Sequence, residues 1–222
     1  RRRRRVSGQA VETSLATAQP GTPDGAAKEA LDQLGAAIDR LADLDLGTVS
    51  DGVLAELSSR TEQLARRTAA ATDRTIVEAS DRDLPFKLGY RDVRSFMSRH
   101  LHIGHAPERY RVIAATGTFH SVTGDVLEPG CPTLAQHLTD GAVAPAHARA
   151  VLDVLEKIPH GTPIDTRMAA EVQMSDYATH FTPLEITNLG SRLLAHLDPD
   201  GTVTDDADRK RQRRLSLGRQ NA

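Results

Sequence analysis

Apolar positions along this chain recur at steps of three and four residues and rarely alternate, so the elements to expect are helices. The plainest case is residues 133–158. Leu134, Ala135 and Leu138 form one stripe, Gly141 supplies a helix stop, Pro145 sits where a first helical turn tolerates it, and Ala148, Val151, Leu152 and Leu155 resume the period. Neither half can bury its stripe alone, so the spacing predicts a helical hairpin packed against neighbours.

Upstream, Ala27, Leu31, Leu34, Ile38, Leu41 and Leu44 predict a helix from Asp24 to about Asp43. Val49, Ser50 and Leu54 stand where a hydrophobic staple and its N-cap belong, and Val53, Leu57, Leu64 and Ala71 carry a second helix toward Ala79. Two long antiparallel helices follow, with Asp39, Arg40, Glu56, Arg60, Arg66 and Arg67 on solvated faces. After a loop over residues 80–88, a short helix is predicted from about Asp92 to Leu101, with Val93, Phe96, Met97 and Leu101 apolar. A break at 102–105 leads to a helix from Ala106 to Thr116 that offers Tyr110, Val112 and Ile113 to a core.

Residues 117–132, with three glycines and two prolines, are predicted as a loop. Asp165 is expected to cap a helix running to about His180, with Ala169, Val172 and Tyr177 on its packing side. Thr182, Pro183 and Glu185 form a capping box with proline at the first position, and Leu184, Ile186, Leu189, Leu193, Leu194 and Leu197 extend the last helix to the Asp198, Pro199, Asp200, Gly201 turn. The fold class is therefore all-α, a multi-helix bundle. Residues 1–25 are expected as a disordered tail, 26–200 as the helical domain (a long hairpin over 26–79 and a bundle over 90–198), and 201–222 as a basic tail opening a further part.

Composition narrows this picture. Aromatic residues make up 3% and tryptophan is absent, so the core must be aliphatic, which suits close helix packing better than a sheet. No run of about 18 apolar residues exists, and no membrane partner is expected. The single cysteine, Cys131, excludes an intrachain disulfide and a multi-cysteine zinc cage, and a reducing cytoplasm is the simplest compartment. The net charge of −2 hides an uneven layout: 11 of the 28 basic residues lie within 1–5 and 209–222, and the remaining 17 face all 30 acids, leaving −13 on residues 6–208. That body repels a polyanion, so nucleic-acid contact must come from a local basic face or from the ends.

Two such places exist. The order of helix, turn and helix over 92–116 has the form of a DNA-reading unit whose second helix presents Arg109 and Arg111, although packing alone also explains it. The final run Arg209, Lys210, Arg211, Arg213, Arg214 and Arg219 holds six positive charges within eleven residues and no acid, enough for salt-sensitive, sequence-blind affinity; a solvated linker or the first strand of a further part accounts for it equally. Other constellations are read as structural. His100, His102 and His105 lack a fixed further ligand and fall at a helix end, so no metal is expected. His147 and Arg149 at a helix start could contact an anion there but are read as turn contact and solvated side chain, and Cys131 as an inert loop thiol. No catalytic residues and no cofactor are predicted.

Residues 101–115, 141–159 and 191–220 resemble the 13E12-repeat family, catalogued as domain of unknown function 222, over about residues 26–220 in order. The most specific pieces are the helix stop followed by Ala146, His147, Ala148 and Arg149, and the Leu197, Asp198, Pro199, Asp200, Gly201 exit. The resemblance implies a helical region that in many members precedes an HNH endonuclease domain, whose divalent metal and histidines lie in the C-terminal part. No nuclease motif falls within this sequence, so any metal is expected only in a downstream domain. The resemblance thus implies a non-catalytic module that positions such a protein on DNA through Arg109, Arg111 and the basic end. The rival expectation is a self-associating or protein-docking module working through the long helices of residues 26–79.

Overall fold

The computed structural model describes residue 15 and residues 17–197. Most of the expected N-terminal tail, and the whole 201–222 segment with Arg209, Lys210, Arg211, Arg213 and Arg214, lie outside the described residues. Within them the chain is helical, as its periodicity predicts: α1 (Pro23–Ala42), a 3₁₀ turn (Leu46–Thr48), α2 (Asp51–Asp81), α3 (Leu84–Lys87), α4 (Val93–Arg99), α5 (Ala106–Thr116), β1 (Phe119–His120), β2 (Val126–Leu127), α6 (Pro132–Asp140), α7 (Pro145–Leu155), α8 (Ile164–Tyr177) and α9 (Pro183–Leu197).

Local chemistry sets most of these boundaries. Thr22 caps α1 by accepting the Gly25 N–H at 3.0 Å ahead of Pro23, and Asp92 caps α4 by accepting the Ser95 N–H at 2.7 Å. The capping box at α9 forms as read: the Thr182 N–H donates to Glu185 Oε2 at 2.9 Å, and the Glu185 N–H returns to Thr182 Oγ1 at 3.4 Å. Gly141 ends α6 at φ +73°, its N–H donating to the His137 and Leu138 carbonyls.

Three local expectations differ from the structure. The 80–88 loop contains the short helix α3, begun by Pro85 near its N-terminus. The 117–132 loop contains an antiparallel pair, Phe119 opposite Leu127 and His120 opposite Val126, closed by a turn in which Thr123 Oγ1 donates to Asp125 Oδ2 at 2.6 Å. Helix α8 starts at Ile164 after Pro163, so Asp165 lies inside the first turn rather than at the cap.

The chain divides into two compact units, one of residues up to 62 with 82–106, the other of 63–81 with 107–197. In the second, α7 is the hub. Its Ala148, Ala150, Val151, Leu152 and Val154 share one buried cluster with Leu134, Val143, Met174, Ala178 and Ile186. Helices α7 and α9 approach so closely that a Cβ on Gly190 would overlap the Val154 side chain. In the first unit, Tyr90, Phe96 and His100 form an aromatic cluster, with the Phe96 and His100 rings stacked at 5.0 Å between centroids and the Tyr90 hydroxyl 3.3 Å from His100 Nδ1.

Candidate functional site

The two arginines singled out on α5 are both committed to acids of their own chain. Arg109 donates from Nε to Asp73 Oδ1 on α2 at 2.7 Å, and its Nη2 lies at the same distance. Arg111 reaches α7, with Nη2 2.5 Å from Asp153 Oδ1 and Nη1 3.2 Å from Glu156 Oε2, and it also donates to the Arg149 carbonyl at 3.4 Å. The Asp153 bond raises the Arg111 pKa further. At Asp73 burial outweighs the ion pair and raises the carboxyl above its ordinary value, so this half-buried bridge costs part of what it gains. Together the two arginines brace α5 against α2 and α7. To meet phosphate, each would have to exchange carboxylates for it.

At the helix start that carries the family-like motif, the positive charges are those of Arg66 from α2 and of Arg149. His147 occupies the first turn of α7, its Nδ1 is buried without a hydrogen-bond partner, and burial followed by the neighbouring Arg66 charge lowers its pKa. Arg66 donates to the Ala142 carbonyl at 3.3 Å, and Gly141 lies so near α2 that a Cβ would crowd the Gln63 carbonyl and the Arg67 side chain. The motif thus reads as a docking point of the 141–145 turn on α2. Residue types alone did not show this, because the contact joins positions 76 and 77 apart.

Two further features had no clear sequence signal. The first is Glu171, 6% exposed on α8, whose Oε1 accepts the Leu134 N–H at 2.9 Å and the Ser175 hydroxyl at 3.4 Å. It supplies the cap that Cys131 fails to give α6. Burial and the Glu171 charge push the Cys131 thiol up to about 11, which makes it inert. The histidine motif does not assemble: His100 belongs to the aromatic cluster, His102 takes φ +55°, and among the described residues no group of three candidate ligands could hold a metal.

The second feature is an uncovered apolar face. Along α1 Leu31 is 54% exposed, Leu34 41% and Ile38 56%, with Leu44 and Leu46 exposed beyond it and Val53 and Leu54 exposed at the start of α2. Gly25 is the one residue of α1 that is buried. No helix among the described residues is long and apolar enough to cross a membrane.

The family model described as "Domain of unknown function (DUF222)" matches residues 55–222. An uncharacterized protein of Mycobacterium tuberculosis (strain ATCC 25618 / H37Rv) is 28% identical over 192 residues, covering 86% of this chain and 42% of the relative. A second from that strain is 26% identical over 166 residues, covering 72% and 36%. An uncharacterized Mycobacterium bovis protein is 26% identical over 193 residues, covering 86% and 42%. The chain therefore spans about two fifths of the length of the curated relatives it matches. No solved structure matches it.

Proposed function

Because this chain belongs to the DUF222 family, to which no function is assigned, we propose from its own geometry that it is a non-catalytic, self-associating helical module of a longer cytoplasmic protein, and that α1 is its contact surface. The uncovered α1 face carries this reading. Ala27, Leu31, Leu34, Ile38 and Leu41 follow one another at steps of four, three, four and three, the 3.5-residue period of a coiled-coil seam rather than the wider stripe of a helix lying on a globular core. A 20-residue helix with one buried residue gains little from its own unit, and helices of that length are marginal alone in water.

The flanks indicate what covers the seam. Beside it stand Lys28, Ala30, Gly35, Ala37 and Ala42, so a second copy laid against the first meets small side chains and no clustered like charge. An anionic membrane surface fits worse: the outer face of α1 carries Glu29, Asp32 and Asp39 against Arg40. Light scattering on the full chain and on a chain lacking residues 209–222 should show each at twice its own chain mass. A dimer that disappears with the basic run would remove α1 from the account.

A second reading rests on the six cations of residues 209–219: delivery of an HNH-endonuclease-like protein to DNA, with the divalent metal residing in a downstream domain. Duplex DNA should be shifted in an electrophoretic assay at low salt and released at moderate salt. Absence of a shift at low salt eliminates it.

A further inference from the structure

The α2 half within residues 63–81, the end of α5, the turn into β1 and α6 enclose a cavity of about 410 Å³, within the range of small-molecule sites. Its floor is aliphatic, built by Val77, Ile113 and Leu138. Its polar rim includes Arg74 and His120, and the second of these is held by an outer partner. Asp81 Oδ2 accepts both the backbone N–H of His120 at 3.0 Å and its ring Nδ1 at 2.9 Å. Since a carboxylate only accepts, Nδ1 carries the proton, and Nε2 is the ring nitrogen left for a ligand. Gly117 permits the turn that brings His120 to the rim: a Cβ there would overlap Val77 and the Ile113 carbonyl.

The charges select the ligand class. Asp73 lines the cavity but its carboxylate is already bound to Arg109. Glu78, the other acid of the lining, also has an interaction within the chain. Arg74 is exposed on α2 and has no intramolecular ion pair among the described residues. A guanidinium above an aliphatic floor suits an oxyanion attached to an apolar body.

We propose that this cavity binds a small amphiphilic oxyanion, a carboxylate or a phosphate monoester, with Arg74 donating to the anionic group, His120 Nε2 adding a second donor only when it too carries a proton, and the apolar body over Val77, Ile113 and Leu138. The lining residues all fall within 70–139. Hexanoate, hexyl phosphate, inorganic phosphate and hexylamine, titrated into the full chain with ¹⁵N-labelled histidine, provide the test by calorimetry and by the His120 Nε2 shift. One or both hexyl anions should saturate and move that signal, which identifies the head group. Arg74→Gln should weaken binding at least tenfold, with unchanged helical circular dichroism, while Arg192→Gln, remote on α9, should leave it intact. The proposal is overturned if neither hexyl anion saturates, if inorganic phosphate binds as tightly as hexyl phosphate, if hexylamine binds better than the anions, or if the affinity of Arg74→Gln equals that of the parent.

Discussion

Gly190 shows how closely single residues define this bundle. Its missing side chain lets α9 lie against Val154, which is 2% exposed, so Gly190→Ala should destabilise the protein by about 1–3 kcal/mol through overpacking. Chemical denaturation should show part of that loss recovered when Val154→Ala is added, because the two changes share one contact. Additive losses would disprove the close approach. Glu171 is the polar counterpart. Glu171→Ala leaves the buried Leu134 N–H without an acceptor and should cost about 1–3 kcal/mol, whereas Glu171→Gln keeps an acceptor and should cost less. With its thiol at about 11, Cys131 should resist a thiol reagent at pH 8 in the native chain and react at once in denaturant.

Helices were legible in the sequence where apolar periodicity and capping chemistry agreed, as in α6, α7 and α9. The face of α8 was not. Ala169 and Val172 were expected inside, but Val172 is 45% exposed and the buried side is Ala170, Glu171, Met174, Ser175 and Ala178. Periodicity assigns a glutamate and a serine to solvent; only the distant Leu134 N–H gives Glu171 a reason to be buried. The same limit hid Arg109 and Arg111, whose carboxylate partners lie 36 to 45 positions away. Caps, being local, also set the acid response. Asp92 is held from an ordinary 3.8 down to about 2 by the Ser95 N–H, and Glu185 is lowered by Thr182. An acid whose folded pKa lies below its unfolded value stabilises the fold above the unfolded value, and loses that contribution as pH falls through the folded one. The Ser95 amide should therefore stay protected from hydrogen exchange at pH 4 and lose protection toward pH 2. Equal protection at both would show that Asp92 does not hold the start of α4.

At the scale of the whole molecule, the chain combines a tightly packed unit centred on α7 with a long amphipathic helix that its own unit leaves uncovered. Net charge sets the ends against the middle, since residues 6–208 carry −13 while the runs at 1–5 and 209–222 hold 11 basic residues. Any polyanion contact at the ends should therefore weaken steeply with salt, whereas an aliphatic seam should not. Sedimentation of the full chain and of Leu34→Asp/Ile38→Asp separates the two most directly. The seam predicts a concentration-dependent dimer in the native chain that persists at high salt, and in the double variant a monomer whose loss of helical circular dichroism is no larger than the 20 residues of α1 account for. A native chain that stays monomeric at every concentration, or a double variant that still dimerises, would contradict it.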